Sequence, residues 1–235
     1  AYVGTGSIVD RQGEELVTRR YTALPEAEPD EVVERVMEDV RHALHQKEDL
    51  KVGVVQDGAP EMWNATERGL KKAEVLDWQG TIDRYHLNER LGGVLQLVEP
   101  HAGVRKRILS EWNDDLDASD EAVGGIQNWL LEQIDNVKGK DSEEKYLGHL
   151  SYLENNQDRM KYQTTRQNGL PIGSGLTEGA CKSVVGQRAC GSAQRWRPEG
   201  LAAALTLRAI HRSDRLPGFW DELSKGYTAD IRMAA

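Results

Sequence analysis

Apolar and polar positions change rhythm several times along the chain. Residues 2–9, YVGTGSIV, and 14–22, EELVTRRYT, carry β-branched and aromatic residues, and the turn Asp10-Arg11-Gln12-Gly13 between them suits an antiparallel hairpin. Pro25 and Pro29 mark a linker. From Asp30 to about Gln46, Val32, Val33, Val36, Met37, Val40 and Leu44 recur at spacings of three and four, which predicts a helix with one buried stripe. Leu50 to Gln56 is a short apolar run that reads as a buried strand. It stops at Asp57-Gly58-Ala59-Pro60, and Pro60 opens a helix carrying Met62 and Trp63. Between Glu74 and Asp83, the residues Val75, Leu76, Trp78 and Ile82 include another strand, with Asp83 at its end. Strand, helix, strand and helix in alternation predict a layered α/β core with crossover connections.

Beyond His86 the pattern turns helical throughout. LNERLGGVLQLV, HAGVRKRILSEWNDDL and ASDEAVGGIQNWLLEQI each repeat apolar residues at three and four, and Ser142 to about Gln167 continues as one helix through Tyr146, Leu150, Leu153 and Met160. Roughly residues 88–150 therefore read as an all-α insertion, with Trp112 and Trp129 as core residues. Pro198 takes the first position of a helix ending near His211, with Leu201, Leu205 and Ala209 on one face. Arg208 and Arg212, four apart, extend a basic surface. The segment LPGFWDEL packs Phe219 and Trp220, and a frayed tail follows.

The length, 235 residues, allows one large domain or one domain with an insertion. No apolar run reaches the length of a membrane span and no signal-peptide pattern opens the chain, so the expectation is a cytoplasmic protein with no membrane partner. Cys181 and Cys190 lack a CxxC partner or a nearby histidine, which indicates neither a metal site nor a disulfide. The net charge of −9 argues against general adhesion to nucleic acid, but it is unevenly spread. From Arg159 to Arg215 there are ten Lys or Arg against three Asp or Glu. A basic stretch in an acidic protein suits a defined DNA channel, and equally suits pairing with the acidic half across an internal interface.

Three acids stand where chemistry is placed in α/β proteins. Asp57 ends an apolar strand, a position for ligand chemistry and equally for an ordinary Asp-Gly turn. Asp83 ends the next strand, followed by Tyr85 and His86. Glu178 lies in GLPIGSGLTEGACKSVVGQRACGSAQRWRPEG, where Ser174 or Gly175 serves as N-cap and Glu178 falls in the first helical turn. A glutamate there answers the helix dipole or closes a capping box; with Lys182, Arg188, Arg195, Trp196 and Arg197 after it, a metal site beside a phosphate backbone is the other reading. Asp57 as the modified acid of a phosphoacceptor domain is a further reading. It expects a lysine at a later strand end, and none is convincingly placed. His42 and His45, three apart, suit a helix C-terminus and have no third ligand near.

The strings GLPIGSGLTEGACK, then QR, then RWRPEG, resemble the C-terminal signature of bacterial insertion-sequence transposases of the ISKra type, members of the RNase H-like DDE superfamily. The resemblance covers nearly the whole chain and implies a fold: an α/β, RNase H-like core, lacking its first strand and interrupted by an all-α insertion. The core's first part is residues 1–87, the insertion 88–150, and the C-terminal helices with the third acid 151–235. In the superfamily three acids hold two divalent ions, Mg2+ or Mn2+. Asp57, in VVQDGAP, matches the second acid and Glu178 the third, and their separation of 121 residues fits the insertion-bearing members. IDRYH resembles the Asp-x-Tyr/Trp-His motif after the fifth strand, making Asp83 and His86 active-site neighbours. Lys182, Arg188, Arg195 and Arg197 are then DNA-backbone contacts, and Trp196 stacks on an unpaired base or packs in the core.

YVGTGSIV and EELVTRRYT match the family's second and third strands, so the first strand and its acid are missing. The implied protein is a DNA transposase acting as a homo-oligomer on element ends and target DNA. The missing acid makes this chain a truncated copy inactive in strand transfer, with strand edges left open. The alternative is a non-catalytic DNA-binding or assembly remnant of such an enzyme.

Overall fold

Two separate two-stranded sheets and a larger number of helices make the chain an α/β protein that is mostly helical. The structure, a computed structural model, describes residues 1–229 apart from 11, 25, 27 and 191–194. Contacts divide the chain into two units, one of Ala1–Leu50, Asn64–Val75 and Gly175–Ala235, the other of Lys51–Trp63 and Leu76–Ser174.

The first unit starts with the expected hairpin. β1 (Tyr2–Val9) and β2 (Glu15–Ala23) pair antiparallel, Tyr2 opposite Ala23 and Ile8 opposite Val17. Asp10 Oδ1 accepts from the backbone N–H groups of Gln12 and Glu14 at 2.8 and 2.9 Å, an Asx-type closure of the turn. α1 (Pro29–Gln46) has Pro29 at its start, where the missing N–H costs nothing, and buries Val32, Val33 and Met37 as the spacing predicts. Pro29 is thus part of the helix rather than of a linker; Pro25 lies outside the described residues. α2 (Pro60–Lys72) contributes residues from Asn64 onward. Gly69 on α2 faces Val33 so closely that a β-carbon there would stand 2.5 Å from Val33 Cγ1, so the contact requires a residue with no side chain.

The later helices begin with α3 (Arg84–Val98), α4 (Ala102–Ala118) and α5 (Ala122–Glu132). They continue with α6 (Lys140–Asn156), α7 (Tyr162–Gln167) and α8 (Gly175–Ala180). In the first unit α8 passes into a π-helical segment, Cys181–Gly186, and then α9 (Gln187–Ala189). α10 (Pro198–Arg212) follows, with Pro198 at its start as expected and Leu205 and Ala209 buried against Val184. Its C-terminal end is held by β2: Arg19 donates to the Ser213 carbonyl at 2.8 Å, and the Arg20 N–H donates to Ser213 Oγ at 2.8 Å. Arg20 also donates to the Arg212 carbonyl, so both arginines satisfy carbonyls that a helix end leaves without partners. The segment LPGFWDEL opens a further helix, α11 (Leu216–Ala229). Phe219 and Trp220 meet edge to face at 5.1 Å, and Trp220 is half exposed. The expected frayed tail falls on residues 230–235, outside those described.

The second unit holds the parallel pair. β3 (Val52–Gln56) and β4 (Trp78–Ile82) run in register from Val52 beside Trp78 to Gln56 beside Ile82. A parallel pair needs a crossover, and the chain between the strands runs through α2. From Arg84 to Gln167 every described regular element is helical, as the spacing predicts for the stretch after His86. Their apolar faces close one core around Ile82, Leu91, Leu95, Trp112, Leu116, Ile126, Leu130, Leu153 and Met160. Trp112 and Trp129 meet edge to face at 5.2 Å.

The single helix expected over Ser142–Gln167 is two. α6 ends at Asn156, a 3-10 turn occupies Gln157–Arg159, and α7 begins at Tyr162. Met160 and Tyr162 are both fully buried, and residues two apart point to nearly opposite sides of a helix, so a straight helix would expose one of them. Breaking the helix buries both: Tyr162 donates to the Ile82 carbonyl at 3.0 Å, and Asp120 accepts from the Thr164 N–H at 3.2 Å and from its hydroxyl. Among the described residues no helix is long and apolar enough to cross a membrane.

Candidate functional site

Parallel pairing settles where two of the acids lie. Gln56 and Ile82 are the last partners of β3 and β4, and the Asp83 N–H continues the ladder by donating to the Gln56 carbonyl at 2.8 Å. Asp57 and Asp83, each the residue after its strand, therefore stand side by side at the C-terminal edge of one sheet. Parallel α/β sheets put their ligand chemistry at this edge.

The two carboxylates have opposite environments. Asp83 is 1% exposed. It is the N-cap of α3, its Oδ1 accepting from the His86 N–H at 2.9 Å and lying 3.1 Å from His86 Nδ1. Its Oδ2 accepts from the Ser174 N–H. Burial alone would raise its pKa, but the hydrogen bonds from Ser174 and His86 favour the anion and hold it below the ordinary aspartate range. An anion at Asp83 selects the tautomer of His86 that carries its proton on Nδ1, leaving Nε2 of a half-exposed ring as an acceptor. Tyr85 is exposed and lies edge to face with the His86 ring at 5.9 Å.

Asp57 is exposed. Its Oδ1 accepts from the Ala59 N–H at 3.1 Å, and its backbone carbonyl accepts from the Tyr152 hydroxyl at 2.9 Å. Gly58 follows at φ +93°, a left-handed conformation open to glycine. The Asp57-Gly58 pair is thus a strand-ending turn, and it presents a carboxylate with one oxygen lacking a protein partner among the described residues.

In the other unit, Glu178 lies in the first turn of α8, as the sequence predicts, and is half-buried. Its neighbour Thr177 ties α8 to β1 through a 2.7 Å hydroxyl pair with Thr5. The π segment begins three residues after Glu178. A π turn widens the helix and leaves carbonyls poorly paired, and such turns concentrate at functional sites. Arg208 meets them from α10, donating to the carbonyls of Ser183 and Val184, the latter at 3.1 Å, and to Gln187 Oε1 at 3.2 Å. Arg208 is therefore engaged in holding this helix rather than extending a basic surface.

The basic stretch sorts into two groups. Arg166 pairs with Asp117 at 3.4 Å, Arg215 with Asp39 at 3.6 Å, and Arg159 lies over the Trp63 ring at 4.3 Å, so part of it is spent on internal contacts. Lys182, Arg188, Arg195 and Arg197 are exposed and form no ion pair among the described residues. Trp196 is 36% exposed, donates to the Arg188 carbonyl at 3.2 Å, and lies under the Arg188 guanidinium at 5.6 Å. It is a surface ring beside a cation, not a core residue.

Sequence reasoning missed Ser174 as a partner of Asp83 and Tyr152 as a partner of Asp57. No local pattern marks either, because each reaches its acid from a distant element. It also missed Arg84, which follows Asp83 and is buried: Arg84 donates to the Asn113 carbonyl at 2.9 Å, pairs with Asp117 at 3.3 Å and lies over the Tyr162 ring at 4.7 Å. Comparison of the chain with models of known protein families, with curated proteins and with solved structures returned no match.

Proposed function

We propose that the chain is a DNA transposase of an insertion sequence by descent, of the RNase H-like DDE type, in which Asp57 and Glu178 each match a metal-holding acid of that family. The observation that carries this reading is the pair of parallel strands ending side by side on Asp57 and Asp83, with Asp83 capping the helix that bears His86. It adds to the likeness of VVQDGAP, IDRYH and GSGLTEGACK to the transposase motifs.

Magnesium or manganese fits the residues at hand. Both are hard cations that take carboxylate oxygens and keep water, and Asp57 offers an exposed carboxylate with an uncommitted oxygen. Asp83 fits less well as a ligand, since its oxygens already hold His86 and Ser174; it acts as an organiser of the strand end. When bound, the ions supply Lewis-acid stabilisation of an in-line displacement at phosphorus. The chain's own residues bind and orient: Lys182, Arg188, Arg195 and Arg197 neutralise backbone phosphates, and Trp196 offers a face to an unpaired base. The DNA partners are element ends and target, engaged by a homo-oligomer.

Titration of the full chain with Mn2+ by calorimetry tests the reading. Binding that is lost in both Asp57→Asn and Glu178→Gln supports it. Binding untouched by either substitution, or none in the unsubstituted chain, removes it. The second reading, a non-catalytic DNA-binding or assembly protein, is favoured by Lys182, Arg188, Arg195 and Arg197, which are exposed and form no ion pair among the described residues. It expects salt-dependent DNA binding that is the same with and without divalent metal.

A further inference from the structure

Tyr152 belongs to α6, within the all-helical stretch, yet it closes on the turn after β3. Its hydroxyl donates to the Asp57 carbonyl at 2.9 Å. Its ring lies against Gly58, where a β-carbon would stand 2.7 Å from Cε2 and 2.8 Å from the hydroxyl oxygen. The Arg90 guanidinium lies over the ring, 3.8 Å from its centroid. Arg90 stands on α3, the helix that Asp83 caps. One ring thus meets the Asp57 turn and, through Arg90, the helix that Asp83 caps.

We infer that Tyr152 is a positioning residue for Asp57, its hydroxyl and ring holding the Asp57-Gly58 turn so that the carboxylate keeps one direction. The inference rests on the reading of Asp57 as a metal-holding acid. Three features agree on it: a hydrogen bond to the acid's own carbonyl, a glycine whose missing side chain admits the ring, and a cation stacked on that ring. Gly58 is required twice over, by its left-handed backbone and by the nearness of the ring. The all-helical stretch thereby acquires a role in the site: α6 supplies the part that steadies a strand-end acid.

The test compares the full chain with Tyr152→Phe, which removes only the hydroxyl, and with Arg90→Gln, which removes the stacked cation. Asp57→Asn is the control. Two readouts are taken: hydrogen exchange at the Ala59 amide, whose partner is Asp57 Oδ1, and Mn2+ affinity by calorimetry. Tyr152→Phe is expected to speed Ala59 exchange by about three- to tenfold, the loss of one hydrogen bond, and to weaken Mn2+ by a similar factor. Arg90→Gln shifts both in the same direction by less, and thermal midpoints stay close to that of the unsubstituted chain. Unchanged Ala59 exchange in Tyr152→Phe overturns the inference, as does unchanged Mn2+ affinity where Asp57→Asn abolishes binding. An unsubstituted chain that binds no Mn2+ overturns the metal reading instead, and Ala59 exchange alone then decides whether Tyr152 holds the turn.

Discussion

Asp83 and His86 are joined twice: one carboxylate oxygen of Asp83 accepts the His86 backbone N–H at 2.9 Å and lies 3.1 Å from the same residue's Nδ1. The first bond caps α3 and the second orients the ring, so helix start and imidazole direction are set by a single buried atom. Asp83→Asn keeps the shape but places an amide among donors. The expected cost is about 1–3 kcal/mol in urea unfolding. Nitrogen NMR of His86 should show the Nδ1–H tautomer in the unsubstituted chain and a shift toward Nε2–H in the variant. An unchanged tautomer would separate the cap from the ring.

Gly69→Ala sets helix propensity against packing. Alanine favours an exposed helix by about 1 kcal/mol over glycine. Here its β-carbon would meet buried Val33 at 2.5 Å and Met37 Cγ at 3.2 Å, and overpacking of that kind costs about 1–3 kcal/mol. Packing should win, giving net destabilisation. In a Val33→Ala background the same change should become neutral or favourable, and a double-mutant cycle by chemical unfolding measures the difference.

Arg208→Lys keeps the charge and loses the fork that reaches Ser183, Val184 and Gln187 together. The expected loss is about 1–3 kcal/mol, with faster amide exchange concentrated in residues 181–187. Uniform acceleration across the chain would mean that Arg208 supports the fold at large and not the π segment.

His149 on α6 is half-buried, and its Nδ1 has no hydrogen-bond partner in the structure. Burial, with Arg90 adding a like charge, lowers its pKa from the ordinary 6.5. The unfolded chain therefore takes up the proton first. The neutral ring's contribution to stability is complete above pH 6.5 and is lost as pH falls through the lower folded value. His149→Leu should flatten the fall in thermal midpoint just below pH 6.5, and an unaltered pH profile would show that other groups govern it.

Local spacing was enough to read most of the secondary structure. The hairpin at residues 2–22, the stripe of Val32, Val33 and Met37, both short apolar strands and the helices after His86 all follow from residue type and period. The helix break after Asn156 did not, because Met160 and Tyr162 satisfy helical spacing locally and conflict only when both need a buried partner. The π segment after Glu178 has the same origin: Arg208 lies more than twenty residues on, and its donors take up carbonyls that a regular helix would have paired within itself.

Residue type and local pattern were enough to single out the candidate residues: Asp57 and Asp83 at strand ends, His86 three residues on, Glu178 in a first helical turn, and a run of cations with one tryptophan. A residue's type and its place in a short element are local properties, and these were legible. Tertiary structure alone decided what surrounds each acid. It buried Asp83 under Ser174 and His86, left Asp57 in solvent with Tyr152 behind its carbonyl, and sorted the basic stretch into internal partners and free surface. Charge state, ring tautomer and carboxylate direction depend on neighbours brought from distant parts of the chain, and no pattern along the chain encodes those distances.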